Sequence, residues 1–309
     1  MQFGVVIPHF GRTAQPGAVE AVARAAEELG FDSAWASDHV IVPVGEEHVP
    51  AYYYEPFPVM AAAAAVTMRI LVGVSVLVLP YRHPVTTAKA LATLDQMSGG
   101  RIILGAGVGG LQPEFEALGA DYRRRGAVSD EYLDVMRACW TQDPIDFDGR
   151  FVQIRQMRAL PKPLQAPFPV WVGGTSAAAI QRAALHGDGW HPYAIGFERF
   201  AAGVEHYRAA CHEAGREPGV VSLTRLVETM ATAPARLFNL GRGTLEIGAP
   251  ADIVCFDPTA EFVVDPNLFQ SKGQNTPFGG LRLRGRVAAT ILGGRITYER
   301  GETFTRAAP

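Results

Sequence analysis

Ser37-Asp38-His39 closes a short apolar run and is the first place in the chain where side chains suited to proton exchange lie together. A carboxylate and an imidazole at a strand end can hold a ring-shaped ligand, and the imidazole exchanges protons near neutral pH. The same pair can also be a hydrogen-bonded structural anchor. Two glycine-rich turns follow other apolar runs: Gly105-Ala-Gly-Val-Gly-Gly110 and Val172-Gly-Gly-Thr-Ser176. Glycine lets backbone approach a ligand. A turn over 173–176 that opens a helix offers free amides, with the hydroxyls of Thr175 and Ser176, to a phosphate. Tight strand-to-helix turns use the same residues for purely local reasons. Val74-Ser75-Val76 lies inside a long apolar run and by pattern alone is core.

Metal chemistry has little to stand on. The three cysteines, Cys139, Cys211 and Cys255, are far apart and form no CxxC pair, and no His-x-His occurs among the eight histidines. No metal site and no disulfide framework are expected, and a reducing cytoplasm is the expected location. A net charge of −3 gives no broad basic surface for nucleic acid. The apolar run over 70–80 is too short to span a bilayer as a helix, and residues 1–8 read as a buried strand rather than a basic leader.

The elements that must position these residues alternate along the first two-thirds of the chain. Strands are expected at 3–8, 32–37, 70–79, 101–105, 168–173 and 189–192. Helices are expected at 16–29, 56–68, 84–97, 128–140, 176–185 and 197–214. Residues 107–126 read as irregular, and 145–154 as a hairpin turning at Asp148-Gly149. This rhythm predicts an α/β fold, a TIM (β/α) barrel, with an open doubly wound sheet as the alternative. With 309 residues, 48% of them hydrophobic, the chain suffices for one barrel and a small satellite domain. After about residue 220 the rhythm stops. A helix over 226–240 precedes short strands at 251–256, 261–264, 286–292 and 295–299, with turns at Gly248, Asp257-Pro258 and Gly293-Gly294. The expected domains are 1–221, a barrel, and 222–309, a small β-rich domain.

The stretches FGVVIPHFG (3–11), AAEELGFDSAWASDHV (25–40), VGVSVLVLPYRHPVTTAKALATLDQMSGGRIILGAGVGG (72–110), EFEALG (114–119), DEYLDVMRACWTQDP (130–144) and VWVGGTS (170–176) agree in order and spacing with one family, as do GRFVQI, PKPLQ and HGDGWHP. Over residues 1 to about 220 the chain resembles the luciferase-like flavin and deazaflavin oxidoreductases, especially the group using coenzyme F-420. The resemblance implies a bound coenzyme F-420 or FMN, with His39 as the catalytic acid or base beside Asp38. It places Ser75 and Val76 at a non-prolyl cis peptide that backs the ring. It also places Gly107, Val108 and Gly109 along the cofactor, and Gly173, Gly174, Thr175 and Ser176 at its phosphate. Deazaflavin sugar-phosphate dehydrogenases of this class carry a glutamate where this chain has Gly110, which argues against that substrate. Arg123, Arg124 and Arg125 either meet an acidic cofactor tail or form a solvated loop. Tyr52, Tyr53 and Tyr54 either line a substrate pocket or cluster on an exposed loop.

A second resemblance covers about residues 222–301. LTRLVETMATAPARLFNLGRGTLEIGAPADIVCFDP (223–258) and SKGQNTPFGGLRLRGRVAATILGGRITYERG (271–301) are similar to the C-terminal end of dihydroorotases of the amidohydrolase superfamily. That family implies a binuclear metal site, but the His-x-His is missing and Lys89, Lys162 and Lys272 have no matching context. The chain therefore reads as a chimera. Its barrel stops before its own last strand–helix unit, and its tail is a partial β-sandwich. A strand from 223–226 or 252–256, or a homodimer, offers a way to close the barrel. The expected function is an oxidoreductase, a luciferase-like monooxygenase or F-420-dependent dehydrogenase, acting on a small organic substrate. The alternatives are a dihydroorotase-type amidohydrolase and a catalytically dead fusion.

Overall fold

A computed structural model describes residues 3–216, 248–268 and 279–299. Two compact units divide the chain, Met1–Val221 and Ser222–Pro309.

The first unit begins with β1 (Gly4–Val6), α1 (Ala18–Glu28), β2 (Ser33–Ala36), α2 (Pro56–Ala65), β3 (Leu71–Val78), α3 (Pro84–Ser98) and β4 (Ile102–Gly107). Local chemistry sets these boundaries. Val19, Ala23 and Ala26 give α1 one buried stripe. Proline stands in the first turns of α2 and α3, where a missing N–H costs nothing, and Gly99 in the left-handed conformation stops α3. β2 and β4 are buried along their whole length, as parallel strands covered by helices should be.

A short helix, α4 (Gln112–Ala117), follows, inside the passage expected to be irregular. Pro113 in its first turn is the signal for it. Then come α5 (Arg125–Thr141), the hairpin β5 (Ile145–Asp148) and β6 (Gln153–Met157), β7 (Val170–Gly173), α6 (Ala177–His186), β8 (Gly189–His191) and α7 (Phe197–Glu213). The Glu131 carboxylate accepts the amides of Arg150, Phe151 and Val152 and so holds the hairpin loop against α5.

The six barrel strands form one parallel sheet in the order β1-β2-β3-β4-β7-β8. A doubly wound sheet reverses direction from its first strand, whereas this order runs one way throughout. The sheet is therefore a half-barrel of the TIM type, and β1 and β8 are its edges among the described residues. Eight strands close such a barrel; six are described. Trp35 fills the space between strands. A Cβ on Gly4 would lie 2.5 Å from its Nε1 and one on Gly73 2.4 Å from its six-membered ring, so glycine is required at both. Beneath the sheet the buried Arg101 guanidinium donates to Ser98 O, Thr67 Oγ1, Ile70 O, Ala64 O and Thr67 O, tying the C-terminal ends of α2 and α3 together.

The second unit holds β9 (Ile253–Val263), β10 (Arg282–Leu292) and β11 (Arg295–Glu299) as an antiparallel sheet in the order β11-β10-β9. Gly293 and Gly294, with φ of 56° and 79°, make the two-residue turn between β10 and β11. The turn expected at Asp257-Pro258 does not break the strand. Asp257 accepts the amides of Thr259 and Ala260, and the irregularity becomes a bulge opposite Gly285. The stretch 252–256, considered as a substitute barrel strand, instead pairs with β10 from Ile253 onward. The expected strand at 223–226 and helix at 226–240 lie outside the described residues. No helix among the described residues is long and apolar enough to cross a membrane.

Candidate functional site

The end of β2 is held by a network of buried polar groups. His9, fully buried, places Nδ1 2.7 Å from Ile7 O, while its Nε2 accepts the Ser37 amide at 2.8 Å. Nδ1 is therefore the protonated nitrogen. Burial lowers the His9 pKa below the ordinary histidine range. Asp38 accepts the Val78 amide at 2.9 Å and both arms of the Arg82 guanidinium at 2.7 and 2.8 Å. Arg82 reaches on to Glu55 at 2.8 Å. Asp38 thus joins the ends of β2 and β3 and carries a countercharge, and its carboxylate is fully engaged. The residue after it, His39, lies in the segment that leaves β2.

His39 faces Glu114, the third residue of α4. Nδ1 lies 2.9 Å from Glu114 Oε2, and Tyr81 donates its hydroxyl to the same oxygen at 2.9 Å. The amides of Val40 and Ile41 donate to Oε1 at 2.6 and 3.2 Å. The Glu114 side chain is completely buried, and that of His39 is 24% exposed. Burial, reinforced by Glu114, pushes the Tyr81 pKa far up, so its phenol stays an O–H donor.

β3 carries the second set of predicted residues. The Ser75–Val76 peptide is cis. The Val76 side chain occupies the space above two of the predicted glycines. A Cβ on Gly107 would stand 2.3 Å from one Val76 methyl, and a Cβ on Gly173 2.6 Å from the other. Close strand packing around Val76 thus requires glycine at both positions. Gly109, at φ 75°, packs against Val78 and Phe115; Val108 is half-buried, and Gly110 faces open space. Ser75 Oγ lies 2.7 Å from Nε2 of His191, whose ring stacks on Trp35 at 5.6 Å and tilts against Trp171 at 6.0 Å. Burial lowers the His191 pKa.

At the end of β7, Gly174 adopts φ 116° and its carbonyl accepts Trp190 Nε1 at 2.8 Å. Ser176 caps α6 through its hydroxyl, which accepts the Ala179 amide at 3.2 Å. Thr175 and Ser176 are exposed. A helix start leaves its first amides without intrahelical partners, so this turn presents N–H donors to an anion beside the Thr175 hydroxyl. The structure links β2, β3, β4, β7 and β8 through Asp38, Val76 and Ser75. The Thr175–Ser176 turn stands at the same ends of the strands, without a side-chain contact to His39.

The luciferase-like monooxygenase family profile matches residues 1–235. The chain belongs to this family. A curated relative, an uncharacterized protein of Mycobacterium tuberculosis strain H37Rv, is 36% identical over 205 residues, 62% of this chain and 71% of that one. Among solved structures, a monooxygenase from Streptomyces bottropensis is similar with a TM-score of 0.62 and 26% identity, over 71% of this chain and 68% of that one. An F420-dependent secondary alcohol dehydrogenase, solved with an F420–acetone adduct, gives 0.62 and 25% over 70% and 66%. A type II Baeyer-Villiger monooxygenase from Pseudomonas putida, solved with FMN, shares the fold at 0.60 and 22% over 71% and 64%. The amidohydrolase family matches residues 185–298. A dihydroorotase of Anaeromyxobacter dehalogenans is 47% identical over 100 residues, 32% of this chain but 23% of that enzyme.

In this luciferase-like chain the sequence left several site residues unread. Glu114, Tyr81, Arg82, His9 and His191 bear directly on the predicted groups. Glu114 and Glu116 look alike in the motif EFEALG, and only the fold buries the first. Two of the three arginines have local partners: Arg124 pairs with Asp121 at 2.6 Å, and Arg125 lies 4.0 Å over the Tyr122 ring. Tyr52 and Tyr54 line a cavity of about 540 Å³ with Arg12 and Gln15, beside the segment that leads into α1. Tyr53 turns the other way, packing on Phe10 at 5.3 Å and on His39 at 5.1 Å.

Proposed function

We propose that the first unit is an oxidoreductase that binds a deazaflavin or flavin at the C-terminal ends of its strands and acts on a small organic substrate. The observation that carries this reading is the joining of β2, β3, β4, β7 and β8 through Asp38, Val76 and Ser75, which gathers His39, the cis Ser75–Val76 peptide and the Gly173–Ser176 turn along one rim. The donor set suits such a cofactor: first-turn amides and the Thr175 hydroxyl for its phosphate, and the open backbone at Gly110 beside the rim. Bound there, a ring of this class supplies hydride or oxygen-activating chemistry. The chain's own residues orient it, and His39 exchanges a proton with the substrate. Membership of the luciferase-like family, and similarity to an F420-dependent alcohol dehydrogenase, support the same reading.

The test is a fluorescence titration of the purified full chain with coenzyme F-420 and, separately, with FMN, repeated on Ser176→Glu. Saturable binding of one cofactor, weakened at least about tenfold by the added carboxylate beside the phosphate amides, is expected. No saturable binding of either removes the reading. The dihydroorotase resemblance contributes no chemistry to this proposal.

A further inference from the structure

We infer that Glu114 is a positioning residue that fixes the tautomer of His39, leaving Nε2 as the proton-accepting nitrogen toward a hydroxyl-bearing substrate. The inference deepens the proposed function and rests on His39 being the group that meets the substrate. Its own basis is a hydrogen-bond count. An ionised carboxylate only accepts, and Glu114 receives four donors: the Val40 and Ile41 amides on Oε1, and the Tyr81 hydroxyl and His39 Nδ1 on Oε2. Two of these donors are backbone N–H groups and cannot reverse. An uncharged imidazole carries one proton, so when Nδ1 donates to Glu114, Nε2 is bare. No partner to Nε2 exists among the described residues, and the ring is 24% exposed. The Phe10–Tyr53 stack flanks the ring, so a bound alcohol would meet His39 beside an aromatic wall and donate its O–H to Nε2. A ligand offering only a carbonyl would find no donor on the neutral ring.

The asymmetry between the two Glu114 oxygens makes the inference sharp. In Glu114→Gln the amide oxygen must stay with the Val40 and Ile41 amides, because an NH₂ placed there would face two N–H groups. The NH₂ is then turned toward His39 Nδ1 and Tyr81. It can only donate, so Nδ1 must become the acceptor and the proton must move to Nε2. An isosteric change is thereby expected to invert the tautomer.

The experiment is a long-range ¹H–¹⁵N spectrum of the full chain with ¹⁵N-labelled histidine at about pH 9, where imidazoles are neutral, with His39 assigned by its loss in His39→Asn. Wild type should show His39 protonated at Nδ1, and Glu114→Gln should show it protonated at Nε2. Tyr81→Phe, which removes one donor but leaves the Nδ1 contact, should keep the wild-type pattern. Wild type protonated at Nε2, a folded Gln variant still protonated at Nδ1, or a Phe variant that switches would each overturn the inference. If the Gln variant does not fold, the wild-type and Tyr81→Phe spectra decide. The readout needs no cofactor, so failed cofactor titrations with the expected tautomers would defeat the function proposal alone.

Discussion

At the scale of single residues, the site is a set of buried groups whose protonation is decided by their neighbours. His9 and His191 are kept neutral by burial, so their folded pKa values lie below that of the unfolded chain. As pH falls below about 6.5 the unfolded chain takes up protons that the folded protein refuses, and stability drops until the folded pKa values are reached. His186 has the opposite sign. Its contact with Asp134 raises its pKa, so its contribution is complete below the unfolded value and is lost as pH rises through the folded one. His191→Gln should therefore flatten the loss of stability on acidification between about pH 6.5 and pH 5, by up to about 1.4 kcal/mol per pH unit. Urea unfolding curves measured across that interval check it, and identical slopes for the two proteins would contradict it. At this scale the sequence made His39 visible, because an imidazole after a carboxylate at a strand end is a local pattern. Glu114 was invisible, because its burial comes from packing across a separation of 75 residues from His39.

Among elements, the glycines of the strand ends carry a lesson about what a motif means. Gly107 and Gly173 are each a hole into which a Val76 methyl fits, a packing demand that the motif alone does not show. β3, β4 and β7 are held at this spacing because no Cβ intervenes. Gly107→Ala should cost about 1–3 kcal/mol through overpacking. The double substitution Gly107→Ala with Val76→Ala should recover part of that loss, since the Val76 methyl that clashes is removed. Denaturant unfolding of the two single variants and the double variant measures the coupling, and simple additivity would refute the packing account. Periodicity was a sound guide to the strand–helix alternation, since those runs are long and apolar. It missed α4, a helix of six residues too short to show a period, and it split β9 at Asp257, where a local side-chain turn is absorbed as a bulge.

For the whole molecule, two ancestries meet in one chain. The luciferase-like family accounts for residues 1–235, and the amidohydrolase family matches 185–298. The described structure correspondingly contains a parallel half-barrel and a separate antiparallel sheet. The change of rhythm near residue 220 was legible because the regular alternation of strand and helix patterns in the sequence stops there. The six described barrel strands were legible too, because each is a separate apolar run followed by a helical pattern.

The central claim is that the rim formed by His39, Ser75–Val76 and Gly173–Ser176 holds a ring cofactor and its phosphate. The most direct measurement is a crystal structure of the full chain grown with coenzyme F-420 or FMN. The account predicts a ring lying against the Ser75–Val76 peptide within reach of His39, with its phosphate on the amides at Thr175 and Ser176. Cofactor bound instead in the cavity beside Arg12 and Tyr54, or crystals grown at saturating cofactor with an empty rim, would contradict it.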